Sequence, residues 1–248
     1  MQGLKQKIDP DNVPEHIAVI MDGNGRWAKR KGAMRVFGHQ NAIEAVRNIA
    51  EGCSEIGVRY LTLYAFSTEN WARPKEEVDS LMSLLVKTIR SETETLVKNN
   101  IRLSGIGDLD SLPDKCRAEL AEAMDITRSN TGLNLILALS YSGRWDIIHG
   151  IRELLKDLRK NRISEKDINP ELFSHYLSTR GVPDPELLIR TSGEMRISNF
   201  LLWQLAYTEL FITDTLWPDF RKEHLFEAII SYQKRERRFG KINEQTNL

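Results

Sequence analysis

A chain of 248 residues with 41% apolar content is long enough to bury a sizeable core as one large α/β domain or two small ones. Lys plus Arg and Asp plus Glu both number 35, so net charge gives no reason to expect nucleic acid or an anionic surface as a partner, and any cationic site has to be local. The amino-terminal MQGLKQKIDPDN lacks the apolar segment of a signal peptide, and no apolar stretch approaches the ~20 residues that span a bilayer, so a soluble cytoplasmic protein is expected. Cys53 and Cys116 have neither metal-ligand nor framework spacing, which suits a reducing compartment and ordinary packing.

In chain order, Ile17–Met21 is an uninterrupted apolar run, the pattern of a strand buried on both faces. A helix is expected from about Gly38 to Ile56, with Ala42, Val46, Ile49, Cys53 and Ile56 at three- and four-residue spacing, and a strand over Tyr60–Phe66. A long amphipathic helix follows through Val78, Leu81, Met82, Leu85, Ile89, Leu96 and Val97, then a strand over Ile101–Ile106 and a helix over Pro113–Ser129 opened by proline. Leu133–Leu139 reads as strand, Trp145–Leu158 as helix, Leu187–Ile189 and Leu210–Thr213 as short strands, and Glu223–Arg238 as a terminal helix. This β-α order predicts a mostly parallel central sheet of about six strands, flanked by helices and joined by right-handed crossovers. No Pro/Gly/Ser-rich linker divides the chain, so one domain over 1–248 is expected, with 1–14 and 241–248 as flexible tails.

Asp22 stands where the first strand meets solvent, and Gly23-Asn24-Gly25-Arg26-Trp27 follows it. Ligands bind at the carboxyl edge of open α/β sheets. Two glycines let backbone approach an anion, a helix starting here would point free N–H groups at it, and Arg26 adds a planar fork. A carboxylate beside phosphate is reasonable when a hard divalent cation lies between them, and Mg²⁺ is the natural one. The competing reading is a tight strand-to-helix turn with Asp22 as N-cap.

Arginines recur just past the expected strand ends: Arg26, Arg73, Arg144, and Arg190 with Arg196. If the strands are parallel these share one rim, an arrangement that core stability does not require. In IRTSGEMRISN, Arg190 and Arg196 bracket a Ser-Gly turn, with Ser192 and Ser198 able to serve the same oxygens, which suggests a second phosphate-bearing group. Ser67-Thr68-Glu69-Asn70-Trp71-Ala72-Arg73-Pro74 after the second strand is either a lid over substrate or a loop stapled down by Trp71. His39, four residues after Arg35, is either a phosphate donor or structural. Glu209 is a candidate second metal carboxylate. There is no Walker GxxxxGK[ST], no GxGxxG, no kinase signature, no HExxH, no GxSxG elbow and no Cys-His pair, so nucleotide binding and covalent catalysis are not indicated.

These residues, taken together, resemble the cis-prenyltransferases, and the resemblance runs nearly end to end. It rests on MDGNGRWA at Met21–Ala28, Gly38-His39, LTLYAFSTENWARP at Leu61–Pro74, NTGLNL at Asn130–Leu135, SGRWDI at Ser142–Ile147, IRTSGEMRISNFLLWQLAYTEL at Ile189–Leu210 and LWPDF at Leu216–Phe220. Ser142 departs from the family's usual glycine. The resemblance implies Mg²⁺-dependent condensation of isopentenyl diphosphate onto an allylic diphosphate such as farnesyl diphosphate, with an elongated hydrophobic tunnel for the product and a homodimer as the working unit. By matching position, Asp22 would hold Mg²⁺ and assist departure of the allylic diphosphate. Gly23, Asn24, Gly25, Arg26, Trp27, Arg35 and His39 would bind that diphosphate, and Arg190, Arg196 and Ser198 the diphosphate of isopentenyl diphosphate. Asn70 would be the base or relay in a loop with Ser67, Thr68, Glu69, Trp71 and Arg73, and Glu209 a metal carboxylate supplied from the partner subunit. Arg238-Phe239-Gly240 would complete the neighbouring site. Ala42, Val46, Ile49, Leu81, Leu85, Ile89 and Leu139 either line the tunnel or pack as core. Peripheral membrane contact for product release is expected, and nucleic acid is not.

Overall fold

The computed structural model describes residues 2–236. In chain order the elements are α1 (Gln2–Lys5), β1 (His16–Ile20), α2 (Asn24–Arg30), α3 (Arg35–Glu55), β2 (Tyr60–Ser67), α4 (Lys75–Lys98), β3 (Arg102–Ile106) and α5 (Asp114–Ile126). There follow β4 (Asn134–Tyr141), α6 (Gly143–Arg159), α7 (Pro170–Ser174), β5 (Leu187–Arg190), β6 (Glu209–Ile212) and α8 (Lys222–Gln233). The six strands form one sheet in the order β3-β4-β2-β1-β5-β6, and every pairing is parallel. The expected sheet is therefore present, parallel throughout.

The strand period of two divides the core. Ile17, Val19, Leu61, Leu63, Leu187 and Ile189 face α3, α4, α5 and α8, whereas Ala18, Ile20, Ile136, Ala138 and Leu188 face the irregular segment carrying Phe200 and Leu201. All five residues of β1 are buried, as its unbroken apolar run requires at a central position. Both cysteines are buried and unpaired. Helix α3 starts three residues before the expected Gly38, and α8 ends at Gln233 rather than Arg238. Arg235, just beyond α8, pairs with Glu209 and donates to the Leu210 carbonyl, so the chain leaves the helix to fasten the edge strand. The stretch before β1, read as a flexible tail, is held: Leu4, Ile8 and Val13 pack on the core, and Gln233 Nε2 donates to the Asp9 and Asn12 carbonyls at 2.8 and 2.9 Å. Ser142, where the family pattern has glycine, accepts from the Trp145 N–H as the N-cap of α6, a role glycine lacks.

At the amino end of the sheet His16 is 1% exposed. Its Nδ1 lies 2.6 Å from the Pro183 carbonyl and its Nε2 2.7 Å from Thr62 Oγ1. Burial lowers its pKa from 6.5 to about 4, outweighing the Pro183 carbonyl and Glu186, which act to raise it. The unfolded chain therefore takes up a proton that the fold refuses, so this contribution is intact above pH 6.5 and falls away towards pH 4. The loss should amount to about 3 kcal/mol at pH 4. Thermal melts from pH 4 to 8 should show a His16→Gln variant with a visibly flatter acid limb than the parent; identical limbs would remove His16 as the cause.

Candidate active site

The carboxyl ends of β1 and β5 lie side by side, with Ile20 level with Arg190. Chain leaving β1 goes to β2 on one side and chain leaving β5 goes to β6 on the other, which makes this the topological switch point where α/β sheets bind ligands. Asp22 is clamped there. Its N–H donates to Thr191 Oγ1 at 2.9 Å, its carbonyl accepts from that hydroxyl at 2.7 Å and from the Trp217 N–H at 3.0 Å, and its carboxylate accepts from Arg190 Nη2 at 2.9 Å. Burial pushes the Asp22 carboxyl up, but the hydrogen bond and charge of Arg190, with Arg26 and the Gly23 N–H, outweigh it and hold the group below the usual carboxylate range. Asp22 is thus ionised at neutral pH.

Gly23 follows at φ 106, and a Cβ there would lie 2.9 Å from Leu216 Cδ2, so only glycine makes this turn. Helix α2 begins at Asn24, whose Oδ1 is buried without a protein partner among the described residues. The Arg26 guanidinium meets four oxygens: the Ser192 carbonyl and hydroxyl, Asp22 Oδ1 at 3.4 Å and Glu194 Oε1 at 3.1 Å. Ser192 supplies both of its oxygens from a left-handed backbone at φ 75, and Ser198, Asn199 and Leu201 also have positive φ. Such backbone strain concentrates where a site dictates the geometry.

Arg190 is 2% exposed and is consumed by positioning. Besides Asp22 it donates to Ser198 Oγ at 2.8 Å and to the Arg196 carbonyl, while its Nε has no partner among the described residues. Arg196 is exposed and pairs with Glu194, and the hydrogen bond and charge of Arg196 hold the Glu194 carboxyl low. Ser192, expected to serve phosphate oxygens, instead holds Arg26. Glu194 went unremarked in the sequence as a site residue, and a carboxylate between two arginines, Arg190 and Arg196, was the signal that pointed to it.

A cavity of about 860 Å³ opens from this cluster. At its head lie Asp22, Gly23, Asn24, Gly25, Arg26, Arg35, His39, Asn70 and Arg73. Glu77, also on its wall, pairs with Arg73 at 3.1 Å and Arg35 at 3.9 Å. Burial first, then the charges of Arg73 and Arg35, lower His39 to about 4 against the opposing pull of Glu77. The body of the cavity runs between α3 and α4 past Ala42, Val46, Leu81, Leu85, Ile89 and Leu139. Ile49 is fully buried core and does not line it. From Glu77 to Leu96 the wall follows α4 for roughly 28 Å of helix rise.

The 68–72 turn is stapled. Trp71 Nε1 donates to Ser140 Oγ at 2.9 Å and the ring packs edge-on against Phe66. Asn70 Oδ1 accepts from the Ser67 N–H, which commits its oxygen to the turn and leaves its NH₂ as donor. Thr68 donates to Glu69, and Glu69 accepts from Asn199 Nδ2 at 2.7 Å, tying this turn to the 190s loop. Trp27 lies outside the cavity, donating to Asp219 at 2.8 Å and stacking on Phe37. Arg190, Arg196 and Ser198 flank the head without lining the cavity.

Glu209 is elsewhere. It is level with Leu187, which is level with Ile17, so within one chain it sits roughly 10 Å back along the strands from the end of β1 at Ile20, further still from Asp22, and ~10 Å across them. The site of one chain therefore does not contain it. Arg238-Phe239-Gly240 lies outside the described residues.

The family model described as "Putative undecaprenyl diphosphate synthase" matches residues 20–240. The chain belongs to this prenyltransferase family. An isoprenyl transferase of Clostridium tetani is 53% identical over 96% of this chain and 93% of its own length. The farnesyl-diphosphate-specific ditrans,polycis-undecaprenyl-diphosphate synthase of Haemophilus influenzae is 49% identical over 94% of this chain and 98% of its own. The crystal structure of lavandulyl diphosphate synthase from Lavandula x intermedia in complex with dimethylallyl diphosphate superposes with a TM-score of 0.91, at 37% identity over 93% of this chain and all of that one. The prenyltransferase is thus a close relative of its bacterial counterparts in sequence and of the plant enzyme in fold.

Proposed function

We propose that this prenyltransferase extends an allylic diphosphate, farnesyl diphosphate above all, by successive isopentenyl diphosphate units to undecaprenyl diphosphate, the lipid carrier precursor for cell-wall polysaccharide, in the cytoplasm. The observation that carries this reading is the joining of a cation-rich polar head to a long apolar cavity: Asp22 and Glu77 with Arg26, Arg35 and Arg73 at the head, leucines and isoleucines behind. A diphosphate with a growing hydrocarbon tail matches both halves, and few other ligands do.

The donor set fits Mg²⁺. Asp22 is a half-buried, ionised carboxylate beside cations that would also hold phosphate, and one carboxylate plus substrate oxygens is the usual magnesium complement. When bound, the metal supplies neutralisation of charge on a departing diphosphate. The chain's own residues do the rest: Arg26, Arg35 and the turn at Gly23–Gly25 bind the allylic diphosphate, Arg190 fixes the Asp22 carboxylate, and Arg196 with Ser198 binds the second diphosphate. Charge developing at the departing oxygen is met by groups already in place, which favours the transition state over the ground state. Asn70 orients the reacting isopentenyl unit through its NH₂, and the apolar walls exclude water. Glu209 acts from a second copy of the chain. A homodimer is supported by the stripe of exposed Ile148, Ile151 and Leu155 on α6 and by the edge strand β6 with its exposed Leu210.

Incubation with labelled isopentenyl diphosphate, farnesyl diphosphate and Mg²⁺, followed by sizing of the extracted lipids, tests the reading; no product longer than the primer would defeat it. Arg196→Ala should raise KM for isopentenyl diphosphate about 10- to 100-fold, the worth of a charge-assisted contact, with little change for the primer. The opposite split would mean that the two diphosphate positions are exchanged.

A further inference from the structure

Between Gly23 and Ile43 there is no acidic residue, while Arg26, Lys29, Arg30, Lys31 and Arg35 all fall within it, an imbalance in a chain whose total charge is zero. Arg26 and Arg35 turn to acids in the site. Lys29, Arg30 and Lys31 are exposed at the end of α2 and enter no ion pair among the described residues. Large apolar side chains stand among them: Met34 is 82% exposed and Phe37 44%. Phe37 stacks on Trp27 with centroids 5.8 Å apart, and Lys31 Nζ lies 5.7 Å from the Trp27 ring centre. Lys29, Gly32, Ala33 and Met34 also form the rim of the long cavity.

We infer that the α2–α3 corner is the surface by which the protein docks on an anionic phospholipid bilayer, with Met34 and Phe37 entering the headgroup region and Lys29, Arg30 and Lys31 against the lipid phosphates. The proposal rests on the reading that the cavity holds a polyprenyl chain, since a hydrocarbon leaving at this rim needs an apolar phase. Exposed apolar side chains interleaved with cations suit an interface that is apolar within and charged without. A nucleic-acid backbone would use the cations and leave Met34 in water.

The test is sedimentation of the intact protein with vesicles of phosphatidylglycerol and phosphatidylcholine, and of phosphatidylcholine alone. The parent should pellet with the anionic vesicles and be released as salt rises. Arg30→Glu/Lys31→Glu should lose about 30-fold or more in vesicle affinity while turnover in detergent is unchanged, and Met34→Ser should bind more weakly with the same salt dependence. Equal binding to neutral vesicles, no binding to either, undiminished binding by the double variant, or tighter binding to a short DNA duplex than to the vesicles would overturn the proposal. A parent that docks on anionic vesicles yet makes no polyprenyl product would sustain the docking surface and count only against the catalytic reading.

Discussion

Asp22→Asn is expected to cut turnover at least ~10³-fold while the enzyme still binds farnesyl diphosphate, because it removes the ionised carboxylate that Arg190 holds at the head of the cavity and leaves the cations that hold the substrate. Asparagine is the informative replacement. Arg190 is nearly inaccessible and loses an anionic partner in either variant, but the amide oxygen can still accept from Arg190 Nη2. Asp22→Ala also deletes the acceptor and should cost about 2 kcal/mol of stability, less than a fully buried pair because Ser198 and the Arg196 carbonyl remain to Arg190. Single-turnover kinetics with equilibrium binding separates the two effects. A variant with near-parental turnover would take Asp22 out of the chemistry; one with lost binding and unchanged single-turnover rate would make it a substrate-holding group only.

Gly38→Ala should do damage of another kind. Gly38 lies on α3 under the first residue of α2, and a Cβ built on it falls 2.1 Å from the Asn24 carbonyl oxygen and 2.8 Å from its carbon. The obstacle is backbone, which no rotamer change relieves, so α2 must be displaced from α3. Overpacking of this kind costs about 1–3 kcal/mol, and a shift of ~1 Å in the groups that position a reacting diphosphate costs ~10²-fold in rate. The expected result is a folded protein with a lowered melting temperature, a raised KM for the allylic primer and a kcat/KM down about 100-fold. Parental kinetics would show that the α2–α3 contact is slack. The same contact explains why glycine precedes histidine at Gly38-His39: the close approach that needs a missing side chain also brings His39 to the cavity head.

Much of this was legible in the residues. Apolar runs gave every strand to within a few positions, since a strand central in a parallel sheet must be apolar on both faces and β1 is. The arginine rim followed from parallel order alone, and the MDGNGR motif marked the Asp22 turn. What periodicity could not reveal is lateral arrangement. β2 and β5 both flank β1, but Arg190 is the last residue of β5 and level with Ile20 whereas Arg73 lies beyond the turn that follows β2, so Arg190 meets Asp22. That β5 lies beside β1 at all depends on crossovers rather than local pattern. Register likewise placed Glu209 at the far end of its strand, although its sequence neighbourhood resembled the site. Trp71 left two readings open, and only the positions of Ser140 and Phe66, both remote or buried, identify it as a staple. The covering of the second sheet face by an irregular segment around Phe200 carries no periodic signal.

Glu194 couples what substrates must later separate. One carboxylate holds both Arg26 and Arg196, so these two arginines are partly neutralised by the protein itself before any anion arrives. On the function proposed above, a diphosphate bound at Arg26 would compete with that carboxylate, and its release there would change its hold on Arg196.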